Sequence, residues 1–582
     1  MTVAEAPSTG TLLDQPHHDG SDGYVLERPD DIGGDAAVRV RVPVDVDDVL
    51  VRWVEDGEPR ARAAERDGDG WWTARFPMRN PRIRYRWLLT GGELGYAWLN
   101  GAGLVTHDIP DSDDFVLDIE PTGPAWHLES VVYEIFPDRF ASSGLDVAPP
   151  SWAVRREWDA LPEGRSANTP YEWFGGDLRG IEQHLDHIES LGANVIYLTP
   201  VFPAGSTHRY DSTTFEHVDP LLGGDEALAS LVRAAHARGI RVVNDLTTNH
   251  TGDKHEWFVG GERELYLFDE SGDYESWWGV KTLPKLNWRS PELRRRLQGI
   301  AHKWLQPPYS LDGWRVDVAN MSGRTGRTDL NADVSRALRE VIRHDALLVA
   351  EHNHDYRPDV AAWHGAMNYA GFTRPVWTWL RGDEALPQYF ELPVEMPQLA
   401  GGAVVETMRA FRAGVPWEFA LHSWALLDSH DSARFRTVAG SRDRQLVGIG
   451  LQMTTPGVPM LFAGDEVGLE GAWGEDARRT MPWGHADDWD TAVFDAYRSL
   501  IALRRSSAAL ARGGIRYVHI DDDVIAYLRE TREETVLCLA SRAPHEPLHV
   551  PFTQLETLYG ADAENGLLAA DGPSFHVWRI HG

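Results

Sequence analysis

The sequence predicts an α/β fold: a (β/α)8 TIM barrel between an N-terminal and a C-terminal β-sandwich. Three observations predict it. Short apolar runs alternate with amphipathic stretches over residues 125–508. Period-two runs divided by turn residues precede that block over 23–124, and more follow it over 509–582. A chain of 582 residues has room for roughly three to four domains and a large buried core.

Taken in order, residues 1–22 are small and polar without periodicity, and are expected to form a disordered tail. Val38–Val42, Val49–Val54, Trp71–Phe76 and Ile83–Leu89 then read as strands. Turns such as Asp67-Gly68-Asp69-Gly70 separate them, and no helical pattern intervenes. After the linker Pro121-Thr122-Gly123-Pro124 the pattern changes. Val131–Phe136, Val195–Leu198, Ile240–Val243, Leu311–Val316, Leu347–Ala350, a weaker segment near Met367, Leu421–Leu427 and Val458–Phe462 supply eight barrel strands. Ile181, Leu185, Ile188 and Leu191 mark one helix face, and Leu228, Leu231, Val232 and Ala235 another. The alternation lapses over about 250–290, a Trp-rich excursion from the third strand. Strands resume at Arg516–Ile520, Val524–Leu528 and around Cys538.

The 56 basic and 89 acidic residues give a net charge of −33. That field makes nucleic acid and anionic lipid poor partners. The one cysteine, Cys538, sits in an apolar run and reads as a buried, inert thiol, which fits a reducing compartment. The N-terminus lacks the apolar core of a signal peptide, and no stretch approaches a membrane span. A cytoplasmic location is expected. The 24 tryptophans favour core packing first and sugar stacking second.

Four strings carry the chemistry: Asp245-Leu246-Thr247-Thr248-Asn249-His250, Gly313-Trp314-Arg315-Val316-Asp317, Val349-Ala350-Glu351 and Ser429-His430-Asp431. Each sets a carboxylate beside an apolar, strand-like run, which in a barrel is where active sites are built. Three acids on one rim, with an Arg and two His beside them, suit glycosidic bond cleavage. Arg315 lies two residues before Asp317, hence on the same side of its strand.

These strings resemble the signature regions of the α-amylase superfamily, glycoside hydrolase family 13. Tyr133–Phe140 is similar to the family's first barrel strand, Phe174–Ile181 to its first helix start, and His208-Arg209-Tyr210-Asp211 to the loop carrying its stacking Tyr. Val318-Ala319-Asn320 and Leu283-Pro284-Lys285-Leu286-Asn287 resemble the cyclomaltodextrinase, neopullulanase and maltogenic amylase group, as does a β-sandwich before the barrel. The resemblance implies a retaining hydrolase of short or cyclic maltooligosaccharides, with Asp317 as nucleophile, Glu351 as general acid/base and Asp431 on the sugar 2-OH and 3-OH. It implies sugar contacts from Tyr210, His250, Arg315, His430, Asn320, Asn353 and His354. Asp245, Asp211 and Asn249 would support them from behind. Arg315 would keep Asp317 ionised, and neighbouring negative charge would keep Glu351 protonated.

No cofactor is implied, and a structural calcium at acids such as Asp465 is left open. An α-glucan oligosaccharide is the expected partner, with a homodimer through the N-terminal domain. Two departures stand out: His352-Asn353-His354 replaces the group's aromatic context after the acid, and Met321–Asp333 is unusual. Transglycosylation or α-1,6 cleavage at the same site remains an alternative reading. So, more remotely, does a non-catalytic glycan-binding protein.

Overall fold

The computed structural model describes residues 12–119, 123–383, 392–568 and 571–581. Residues 1–11 of the expected tail and Pro121 and Thr122 of the expected linker lie outside the described residues.

Eight parallel strands form the central sheet: β1 (Val132–Ile135), β2 (Val195–Leu198), β3 (Arg241–Thr247), β4 (Gly313–Asp317), β5 (Leu347–Ala350), β6 (Gly365–Ala366), β7 (Trp424–Leu426) and β8 (Val458–Phe462). β8 pairs with β1, and a parallel bridge from Met367 to Trp424 joins β6 to β7, closing the ring. The period of two sorts the side chains. Val132, Val195, Val243, Leu347, Val349, Met367, Trp424, Leu426, Val458 and Met460 pack together in the barrel interior. Their neighbours, among them Tyr133, Ile135, Val242 and Leu348, pack outward against the helices.

Two strands differ from expectation. β6, the weaker segment near Met367, has two residues, and its Gly365 admits no side chain, since a Cβ there would lie 2.4 Å from the His422 backbone. β7 begins at Trp424 rather than Leu421, since Leu421 and His422 close the helix Trp417–His422. The helix marked by Ile181 and Leu191 is also split at His184, whose Nδ1 lies 2.8 Å from the Gly180 carbonyl.

Before the barrel, a four-stranded and a six-stranded antiparallel sheet enclose one core containing Val38, Val51, Phe76, Tyr85 and Trp87. After it, Gly514–Ile520, Val524–Glu530, Thr535–Ser541, Ser574–Ile580 and Leu555–Tyr559 form a five-stranded sheet, with a two-stranded sheet alongside. Residue 509 falls inside the helix Ala508–Arg512, so strand structure resumes at Gly514. Cys538 is buried in this sheet, and burial pushes its thiol up to about 12.

The tail expectation is corrected for residues 12–22, which are ordered. Leu13 enters the C-terminal core. The His18 ring meets Phe115 edge-on at 4.3 Å, and its Nε2 lies 2.9 Å from the Tyr85 hydroxyl. Asp19 accepts hydrogen bonds from the amides of Ile515 (2.8 Å) and Ser21 (3.0 Å). A polar segment thus pins the two β domains together through partners far away in sequence. Asp19→Ala leaves two amides without their acceptor and is expected to cost about 1–3 kcal/mol. A lower thermal midpoint with unchanged strand content by circular dichroism checks this.

Candidate active site

Strand register assembles the site. Asp245 on β3 is the direct partner of Arg315 on β4, and Thr247 is the partner of Asp317. Val316 pairs with Ala350, so Glu351, the next residue after β5, emerges at the level of Asp317. The Arg315 guanidinium is fully buried and meets three carboxyls. Nη1 donates to Asp245 at 2.9 Å and to Asp317 at 3.2 Å, and Nη2 lies 3.2 Å from Glu351. The two acids named as nucleophile and acid/base therefore face one cation from neighbouring strand ends. Glu351 also accepts a 2.6 Å hydrogen bond from the Val318 amide.

Asp245 accepts further hydrogen bonds from the hydroxyls of Tyr197 (2.6 Å) and Tyr210 (3.0 Å). The Tyr210 hydroxyl also lies 2.7 Å from His430 Nε2, and the two rings run parallel at 5.7 Å. His430 sits between carboxylates. Its Nδ1 meets Glu134 of β1, and its Nε2 lies 3.1 Å from Asp431. Asp431 is capped by Arg478 at 3.0 Å, and its side chain is 39% exposed. Asn249 Nδ2 lies 3.1 Å from His250 Nδ1, an arrangement that leaves the proton on Nε2. That Nε2 is 3.9 Å from Asp317 Oδ2, and both atoms are buried without a hydrogen-bond partner.

The other sequence candidates have these surroundings. Asp211 is spent within its own loop, accepting from the Gly205 amide at 3.1 Å and from Ser206. Asn320 offers its backbone carbonyl to Arg324 at 2.7 Å. Asn353 and His354 are exposed. His352, beside them, is buried against Asp359 at 2.9 Å, and Arg324 holds Asp359 through two nitrogens at 2.7 and 2.6 Å. Asp465 is taken up by Arg434 at 2.7 Å and by the Phe462 amide at 3.0 Å. Among the described residues, no group of three or more His, Cys, Asp or Glu is placed to hold a metal ion.

Glu134, Tyr197 and Arg478 belong to the constellation but were not singled out from sequence. Glu134 did carry a signal, as a carboxylate inside an otherwise apolar strand.

The electrostatics follow from burial. Burial pushes Glu351 above the ordinary carboxylate range; Arg315 opposes this, and the Asp431 charge adds to it. Asp317 is raised too, by burial first and then by the Glu351 charge, against Arg315. Arg315 favours the ionised form of Asp317, as expected, but burial opposes it and one guanidinium is divided among three carboxyls. The two acids titrate as a pair. Burial depresses His250 to about 3, so it is neutral. Burial also opposes charge on His430, but Asp431 and Glu134 outweigh it and raise its pKa. Burial likewise opposes ionisation of Asp431, yet His430 and Arg478 keep its pKa low.

Comparison with known proteins follows the same lines. The alpha-amylase catalytic-domain family matches residues 134–278 and 260–499. The chain is 31% identical to neopullulanase 2 of Thermoactinomyces vulgaris, over 78% of this chain and 77% of that protein. It is 30% identical to a cyclomaltodextrinase of Geobacillus thermopakistaniensis, over 83% and 81%. Among solved structures, a cyclomaltodextrinase superposes with a TM-score of 0.70 at 26% identity, covering 98% of both chains. The cyclic α-maltosyl-(1→6)-maltose hydrolase of Arthrobacter globiformis, bound to that sugar, superposes with a TM-score of 0.64 at 30% identity, covering 73% of this chain and 93% of that one.

A raised carboxyl pKa has a consequence for stability. Between the ordinary pKa and the raised one, the folded state binds more protons than the unfolded chain. Stability is therefore fully present below the ordinary value and falls as pH rises through the raised one. Glu351→Gln removes that loss while keeping an acceptor for the Val318 amide. Its thermal midpoint is expected to exceed that of the wild type at pH 8, and the gap to close towards pH 4.5. Melting curves across that range test it.

Proposed function

We propose that this chain, which belongs to the α-amylase catalytic-domain family, is a retaining α-glycoside hydrolase that cleaves α-glucosidic bonds of short or cyclic maltooligosaccharides through a covalent glycosyl–Asp317 intermediate. The observation that carries the reading is the shared guanidinium. Asp317 and Glu351 meet Arg315 from adjacent strand ends, while Asp317 Oδ2 and His250 Nε2 stand unpartnered beside each other.

The steps follow from these groups. Asp317 attacks the anomeric carbon as Glu351 gives its proton to the departing glycosidic oxygen. A water then enters, Glu351 takes its proton, and the resulting nucleophile breaks the ester to Asp317 with net retention. Burial and the Asp431 charge favour the protonated form of Glu351, which is what the first step consumes. The low pKa of Asp431 keeps it an acceptor for the sugar 2-OH and 3-OH. Neutral His250 donates from Nε2, and His430 donates from the ring that Glu134 and Asp431 flank. Tyr210, fixed by Asp245 and His430, offers its ring face to the sugar.

A second reading has one observation in its favour. The superposition on a hydrolase bound to an α-1,6-containing cyclic sugar supports cleavage of α-1,6 bonds at this site, or transfer to them. The proposal extends to a cytoplasmic location, supported by similarity at 28% identity to an intracellular maltogenic amylase of Bacillus subtilis. It extends also to a homodimer through the N-terminal domain, on the resemblance alone.

Asp317→Asn is expected to retain less than about 1% of activity, since the covalent step has no substitute for that carboxylate. Product analysis with maltotriose, panose, pullulan and β-cyclodextrin measures both the loss and the linkage preference. Activity above that level refutes the covalent mechanism.

A further inference from the structure

We propose that Trp278 is a stacking platform for a glucosyl unit of longer substrates, outside the pocket that holds the reacting sugar. This deepens the hydrolase reading and rests on it for the class of ligand. Three rings lead out from the nucleophile. His250 stands 3.9 Å from Asp317. Trp277 lies 6.0 Å from the His250 ring, tilted by 35°. Trp278 stacks on Trp277 at 5.3 Å with the planes 3° apart. The outermost ring is 64% exposed, the most of any tryptophan among the described residues, and Val280 beside it is also exposed.

Core packing does not account for an indole left in water next to a cleft. The backbone argues the same way. Trp278 has φ 46° and ψ 29°, the left-handed region that costs a bulky residue steric energy. Gly279, which adopts that region freely, follows directly, so the turn could have been made without placing an indole there. The hairpin is held by hydrogen bonds from the Trp277 amide to the Leu283 carbonyl (3.0 Å) and from the Val280 amide to the Trp277 carbonyl (2.8 Å). The positive φ lays the Trp278 ring flat on Trp277 and turns its other face to solvent.

The same hairpin is tied to the loop after β4. Glu275 accepts a 2.5 Å hydrogen bond from Thr325, and Arg324 next to it holds Asp359 in the loop after Glu351. The platform is therefore fixed relative to both acids. A flat apolar face held at the rim of a polar pocket matches the C–H face of a glucopyranose ring.

The test uses the full chain in the Asp317→Asn background and measures maltose, maltotriose and maltoheptaose binding by calorimetry. Trp278→Ala should weaken maltoheptaose binding about ten-fold and leave maltose within about two-fold, as expected for loss of one stacking contact. Trp278→Phe should restore most of the loss. An equal loss at every length, no loss at any length, or no measurable affinity for these sugars overturns the platform. Residual turnover in the Asp317→Asn protein would count against the covalent mechanism alone, because the length dependence of binding is read separately.

Discussion

One buried guanidinium organises this site. Arg315 is surrounded by Asp245, Asp317 and Glu351, delivered by three successive strands. Without a cation, three carboxyls at the top of a closed barrel would have to take up protons, since burial and mutual repulsion both disfavour their charge. An arginine serves where a lysine would not: its planar fork reaches separate acceptors at once and stays charged when buried. Removing such a partner from a buried network costs on the order of 3–5 kcal/mol, mostly because it strands the charges left behind. The same guanidinium also limits the site. Shared three ways, it opposes the effect of burial on each acid only in part, which favours a proton on the acid/base.

A second line of alternating charge runs from Glu134 through His430 and Asp431 to Arg478. It meets the first at Tyr210, whose hydroxyl lies between Asp245 and His430. The aromatic face offered to substrate is thus held by both lines. The wide acidity of the surface does not oppose this arrangement, because a neutral sugar feels little of the net charge of −33.

The barrel and the central acids were legible in the sequence because Asp317 and Glu351 stand at the ends of apolar runs and Asp245 and Asp431 beside such runs, where strand geometry dictates what side chains can reach. Glu134 was less visible, since one carboxylate within a strand does not reveal which residue faces it across the ring. Arg478 comes from a loop whose path no local pattern dictates. Asn353 and His354 follow Glu351 after its strand has ended, where no period dictates direction, and both are exposed. Residues 12–22 read as disordered because their composition is polar. They are ordered by aromatic and amide partners in two other domains, which composition does not report.

The residue after the nucleophile explains how the acid/base is aimed. Val318 is β-branched, yet its φ is 33°, in the left-handed region. Such a residue pays about 1–3 kcal/mol in strain. The turn directs its amide away from the ladder and into Glu351, making a 2.6 Å hydrogen bond. A hydrogen bond of that kind returns about 0.5–1.5 kcal/mol, or about 1.5–3 kcal/mol when its acceptor is charged, and so offsets part of the strain. The chain reversal that follows Asp317 therefore also sets the position of its catalytic partner. Nucleophile and acid/base are coupled through one peptide unit as well as through Arg315, so neither can shift without moving the other.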